Sequence, residues 1–176
     1  FNGEGQSAEA LQMQFQALAG EAIGAAQSAT TVNPIDPENW RKLAQIYEAL
    51  IPLNIAGVSN AALSMRDEQA KRNPSSPEPL LAEARIFADA GDSKQARERA
   101  ELGLALKSNY APAHLFIAQL EEEAGNISKA IERMQAAALL NPTEIGTLFQ
   151  LGLLYYRNEQ FENAGRIFGR TVELSP

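Results

Sequence analysis

Apolar and small residues recur along the chain with two superimposed periods. The short period is helical. Leu148, Leu151, Gly152 and Tyr155 fall at i, i+3, i+4 and i+7, and Phe161, Ala164, Ile167, Phe168 and Thr171 make a second such stripe. The polar residues 158–160 separate them, so the pattern predicts a helix, a tight turn and another helix. The long period shows in Ala96, Ala130 and Ala164, which keep one constant step (130 − 96 = 34, 164 − 130 = 34). So do Leu80, His114 and Leu148, then Ala84, Ala118 and Gly152, then Leu106, Leu140 and Leu174. Phe87 and Tyr155 flank Glu121 in a further column, Gly91 and Gly125 are followed by Glu159, and Ser108, Pro142 and Pro176 come last. Columns of like chemistry at one step mark an internal repeat of helix pairs.

The residues between the stripes agree with this reading. Small residues at Ala84, Ala118 and Gly152 on the first helix, and at Ala96, Ala130 and Ala164 on the second, let the two backbones approach closely. Gly91 and Gly125 stand where a first helix ends, a place that favours a left-handed residue. Asp92 and Asn126 follow as candidate N-caps. Pro142 and Pro176 lie just past a second helix, where the missing N–H stops further winding. An earlier first helix opens at Pro37. The step from Pro34 to Pro74 is longer than the period (74 − 34 = 40). Pro52 ends the helix before it, so the surplus reads as an enlarged inter-helix loop around residues 51–54. Upstream, residues 8–32 hold either one long helix or a degenerate helix pair.

A helix–turn–helix that repeats at this step with these columns resembles the tetratricopeptide repeat (TPR). The family pattern is met most fully by Leu148, Leu151-Gly152, Tyr155, Ala164, Phe168, Thr171 and Pro176, with Thr171 in place of the usual small residue. The unit before it departs further, with His114 at a large-residue position and Glu121 at the Tyr position. The resemblance covers residues 37–176 and extends weakly over 7–36. It implies an all-α, right-handed α-solenoid: an N-terminal segment or degenerate repeat at 1–36, then units at 37–76, 77–110, 111–144 and 145–176, without a separate capping helix. It further implies that the first helices line a concave face on which a partner protein or peptide binds.

Helical spacing assigns the residues of each first helix that face away from its apolar stripe. They are Arg41, Gln45 and Glu48, then Leu81, Arg85, Ala88 and Asp89, then Leu115, Gln119, Glu122 and Glu123, and finally Phe149, Leu153, Tyr156 and Arg157. The expected partner-binding set is Arg41, Gln45, Arg85, Gln119, Phe149, Leu153, Tyr156 and Arg157. The last unit differs in kind. A helix apolar on both faces must bury both, so Phe149, Leu153 and Tyr156 either pack on a further element or form an apolar ligand groove with Arg157 at its rim. Family members that clamp a C-terminal carboxylate use paired Lys and Asn on successive first helices. The matching places here hold Arg41 with Gln45, Leu81 with Arg85, and Leu115 with Gln119, so a chaperone-tail receptor is not expected.

Composition narrows the chemistry. Twenty-two acidic against 15 basic side chains give a formal net charge of −7, which argues against nucleic-acid binding through a broad basic surface. The chain has no cysteine, and His114 is its one histidine. That removes disulfides, thiolate nucleophiles and His-His metal sites. His114 reads as a packed residue, Glu121-Glu122-Glu123 as a solvated acidic face, and Asn126-Ile127-Ser128 as a glycosylation sequon by pattern alone. No phosphate loop or catalytic set emerges, and neither an enzyme nor a cofactor is expected. No apolar run is long enough to span a membrane. The expected function is a protein-interaction scaffold. Two alternatives stand beside it. One is head-to-tail self-assembly, as oligomers or filaments, through uncapped solenoid ends, with the segment around residues 20–26 docking on the Leu153/Phe168 end of a neighbour. The other is an accessory module of a larger bacterial envelope protein, since residues 37–53 are similar to repeat regions appended to such proteins. The chain starts at Phe1, as a processed chain or a fragment would, and the bacterial envelope or exterior is the favoured location.

Overall fold

The computed structural model describes residues 7–175. The first six residues of the expected N-terminal segment, and Pro176 of the closing column, lie outside the described residues. The described residues form nine α-helices and one short 3-10 turn. The chain divides into two compact units, Phe1–Ser75 and Ser76–Pro176.

In the first unit, α1 (Ala8–Val32) is one continuous helix of 25 residues. Its C-terminal half packs on α2 (Pro37–Leu50), where Gln27 Nε2 donates to the Tyr47 hydroxyl at 3.3 Å. Its N-terminal half leaves Leu11, Met13, Phe15 and Leu18 exposed. Helix α2 starts where Asp36 accepts from the Glu38 N–H at 2.9 Å, with Pro37 at the first helical position. It ends at Leu50, and Pro52 sits in the 3-10 turn Ile51–Leu53. Two left-handed residues, Asn54 and Gly57, then lead into α3 (Val58–Arg72). The α2–α3 hairpin encloses Leu43, Ala44, Val58 and Ala62, but also a buried cation, Arg66. Glu48 meets it with two hydrogen bonds of 2.6 and 2.8 Å, and Gln69 accepts a third at 2.8 Å. Glu48 therefore turns toward its own hairpin and not away from it, because the carboxylate balances a charge on α3 that helical spacing on α2 cannot reveal.

The second unit stacks three hairpins: α4 (Glu78–Asp89) with α5 (Ser93–Leu106), α6 (Ala111–Glu123) with α7 (Ile127–Leu140), and α8 (Ile145–Arg157) with α9 (Phe161–Leu174). Each hairpin joins the next through its second helix, α5 against α6 and α7 against α8. One apolar cluster joins Leu81, Ala84, Ala100 and Leu104 to Phe116 and Ile117, and another joins Ala118, Ile131 and Met134 to Leu148, Leu151 and Leu154. Leu81 is thus buried beneath α6. Its exposure is decided by the neighbouring hairpin and not by the stripe on its own helix.

Gly91 and Gly125 adopt φ of 80° and 78° at the ends of α4 and α6, as a left-handed C′ residue requires. Asp92 caps α5 by accepting from the Gln95 N–H at 3.0 Å, and that bond holds its carboxyl below the ordinary range. Asn126 departs from expectation. It occupies the N-cap position of α7, but its side chain donates to Glu121 at 2.8 Å and caps nothing. The reason is that Glu121 is buried, not solvated, and needs donors. Arg97 of α5 supplies the other, as an ion pair. Tyr155, one period on, accepts likewise from Gln135 of α7. Polar residues in this column reach back to the preceding helix.

Candidate interaction surface

Arg85 and Gln119 lie one period apart (119 − 85 = 34), so the repeat places them at equivalent points on α4 and α6. The structure brings them into one cleft of about 220 Å³. Ala111, Pro112, Leu115 and Phe116 form its apolar wall, and Asn141, just after α7, completes it. Both Arg85 and Gln119 are exposed. Arg85 makes no hydrogen bond or ion pair with another described residue, and its charge acts on the half-buried Tyr110. Burial is the main cause that raises the Tyr110 phenol above its ordinary range. Glu78 adds to the rise and Arg85 opposes it. The cleft thus offers a cation and two primary amides beside a hydrophobic wall. Such a set recognises a carboxylate or a peptide backbone next to an apolar side chain.

The remaining expected residues separate. Arg41 and Gln45 belong to α2 of the first unit. Arg41 is half-buried and bonds to Glu38 one turn earlier at 2.6 Å, which holds the Glu38 carboxyl below its usual range. Gln45 is exposed. On α8, Phe149, Leu153 and Tyr156 are all exposed. Phe149 tilts against Phe168 of α9, with ring centroids 5.7 Å apart, and Tyr156 meets Phe161 edge-on at 5.5 Å. Arg157 forms an ion pair with Glu122 of α6. A cleft of about 520 Å³ at the end of the stack takes in Phe149 with Ile145, Phe168, Thr171, Val172 and Ser175. Asn141 follows a second helix and so lies outside the set that helical spacing assigns on the first helices. Its place directly before Pro142, at the end of a unit, was the available signal. His114 is half-buried. Its Nε2 donates to the Ser108 carbonyl at 2.9 Å, which fixes the tautomer and leaves Nδ1 without a hydrogen-bond partner. Among the described residues no three metal-binding side chains cluster, and no helix is long and apolar enough to cross a membrane.

No protein family and no curated protein matches the chain in sequence. Solved structures do match. A crystal structure of MamA is 20% identical over 93% of this chain and 92% of its own, with a TM-score of 0.71. The C-terminal part of a TPR repeat-containing protein from Cytophaga hutchinsonii is 17% identical over 90% of this chain and 60% of its own, also at 0.71. YrrB, described as a TPR protein with an unusual peptide-binding site, is 12% identical over 94% and 82%, at 0.62. At such identities the likeness is one of fold. The chain has the all-α, helical-repeat fold of the tetratricopeptide-repeat solenoids.

Proposed function

We propose that the protein is a non-catalytic interaction scaffold whose second unit binds an extended peptide across α4 and α6. The observation that carries this reading is the cleft in which Arg85 and Gln119 face solvent together, with Asn141 at one end and Leu115 and Phe116 as the wall. The ligand would bring an acidic side chain to Arg85 and an apolar side chain to the wall, while the amides of Gln119 and Asn141 take its backbone. The peptide-binding site named for YrrB supports a peptide as the class of ligand.

A randomised peptide library displayed against the chain tests this. Selected peptides should share an Asp or Glu next to an apolar residue. Arg85→Glu should weaken them at least tenfold, about 1.4 kcal/mol. Gln119→Ala should weaken them by a smaller factor. A library that yields no such motif, or ligands indifferent to both substitutions in a folded protein, removes the cleft from consideration.

A further inference from the structure

We propose that the open end of the α8–α9 hairpin is the seat for helix α1 of a second copy of this chain, giving head-to-tail assembly. The repeat supplies its own internal control. Val172 on α9 is 72% exposed, whereas Ala138 and Leu104, one and two periods earlier, are 8% and 7% exposed. Phe149 on α8 is 50% exposed, whereas Leu81, two periods earlier, is 3% exposed. Leu115 between them is half-buried. Ile145 is exposed, and its counterpart Ala111 is buried. The earlier members of these columns belong to hairpins on which a further helix packs. The stacking interface seen twice inside the unit thus continues onto a third, uncovered face, which holds the cleft of about 520 Å³.

The two helices that cover the earlier faces define what fits the third. Helix α6 presents the buried residues Ala113, Ile117 and Leu120, and α8 presents the buried residues Thr147, Leu151 and Leu154. Both sets run i, i+4, i+7. Helix α1 carries Leu11, Phe15 and Leu18 at the same spacing, and all three are exposed. Residues 10–20 of α1 bear no charge, and neither do the residues lining the seat, so docking there would desolvate no ionised group of either lining. Seat and helix are different surfaces of one chain. The contact is therefore heterologous, and it propagates unless the rotation closes a ring. This inference is independent of the Arg85 cleft.

The test is light-scattering mass measurement on the chain Phe1–Pro176 over a range of concentrations. The wild type should rise above its 19.1 kDa chain mass as concentration increases. Phe15→Glu, which spoils the helix, and Val172→Glu, which spoils the seat, should each hold the chain at monomer mass with helical circular dichroism unchanged. Mixed in equal amounts, they should form a species of twice the chain mass, because each retains the surface the other lacks. If Phe15→Glu loses helical signal, Leu11→Glu takes its place. A wild type that stays monomeric throughout overturns the proposal. So does assembly that survives both substitutions, or a mixture of the two variants that stays monomeric.

Discussion

Helix α3 carries Arg66 at the point of its repeat where α9 carries Phe168, with Ala100 on α5 and Met134 on α7 at the same register between them. In α2–α3 the position is filled by a guanidinium 3% exposed, held by both oxygens of Glu48 and by Gln69. In α8–α9 it is filled by an aromatic ring, and the facing helix makes room with Gly152, where an added Cβ would stand 2.5 Å from the ring. The period fixes where two helices meet. It does not fix the chemistry that fills the junction. The two fillings differ in how they fail. A buried ion pair is all-or-none, because removing one partner leaves a desolvated charge. An apolar junction is graded, because each methylene added or removed changes the fit by a small step.

The largest effect should therefore come from breaking the ion pair in the first unit. Glu48→Ala leaves Arg66 with Gln69 but without a countercharge from Glu48, and should cost about 3 kcal/mol. Urea unfolding would read this as a lower midpoint at unchanged slope. Replacing both partners, Glu48→Leu with Arg66→Met, removes both charges and gives α3 the methionine that α7 carries at the matching position, Met134, and should restore most of the loss. A double variant no more stable than Glu48→Ala would show that the pair is needed for more than its mutual neutralisation.

The apolar junction should respond more gently. Gly152→Ala pushes a methyl into the Phe168 ring, which can shift because it is only partly buried, and should cost about 2 kcal/mol. Ala118 and Met134 stand at the matching positions of the α6–α7 hairpin, where both are buried without conflict. Gly152→Ala combined with Phe168→Met recreates that pairing and should recover at least half of the loss. Equal losses in the single and double variants would mean that the ring is not what requires glycine on α8.

Those two junctions also show how far the sequence could be read. The helix pairs, their constant step and the left-handed turns were legible, because small residues and punctuation recur wherever backbones approach or reverse. Arg85 and Gln119 were legible as equivalent positions for the same reason. The burial of Leu81 was not, since helical spacing reports one face of one helix, and α6 covers the other. The roles of Glu48 and Glu121 were hidden more deeply. Each is an acidic residue whose environment is set by an arginine on a different helix, Arg66 and Arg97, and neither arginine recurs with the period. Asn126 followed Glu121 for the same reason, giving up its cap to a buried carboxylate. The cleft at the end of α8–α9 required three hairpins in place before the exposure of Val172 became meaningful.

The smallest expected effect lies in the turns. Between α4 and α5, and between α6 and α7, the chain reverses through Gly91 and Gly125. Each donates its N–H three residues back at 2.8 and 2.9 Å, and the next residue donates five back at 2.9 and 2.8 Å. The α8–α9 turn makes the same two bonds, from Glu159 to Tyr156 at 3.1 Å and from Gln160 to Tyr155 at 2.9 Å, but Glu159 holds φ of 59° with a side chain attached. A left-handed non-glycine residue costs about 1–2 kcal/mol, and glycine returns roughly half of that gain through its greater freedom in the unfolded chain. Glu159→Gly should thus stabilise the protein by about 0.5–1 kcal/mol, seen as a rise of a few degrees in Tm. In the reciprocal change, Gly125→Glu, the added Cβ meets nothing within 4 Å, so the left-handed backbone is the strained element and the protein should lose a similar amount. If the two substitutions do not oppose each other in sign, the turns are not equivalent despite their matching bonds. The α8–α9 hairpin would then differ from its neighbours in backbone as well as in its filling.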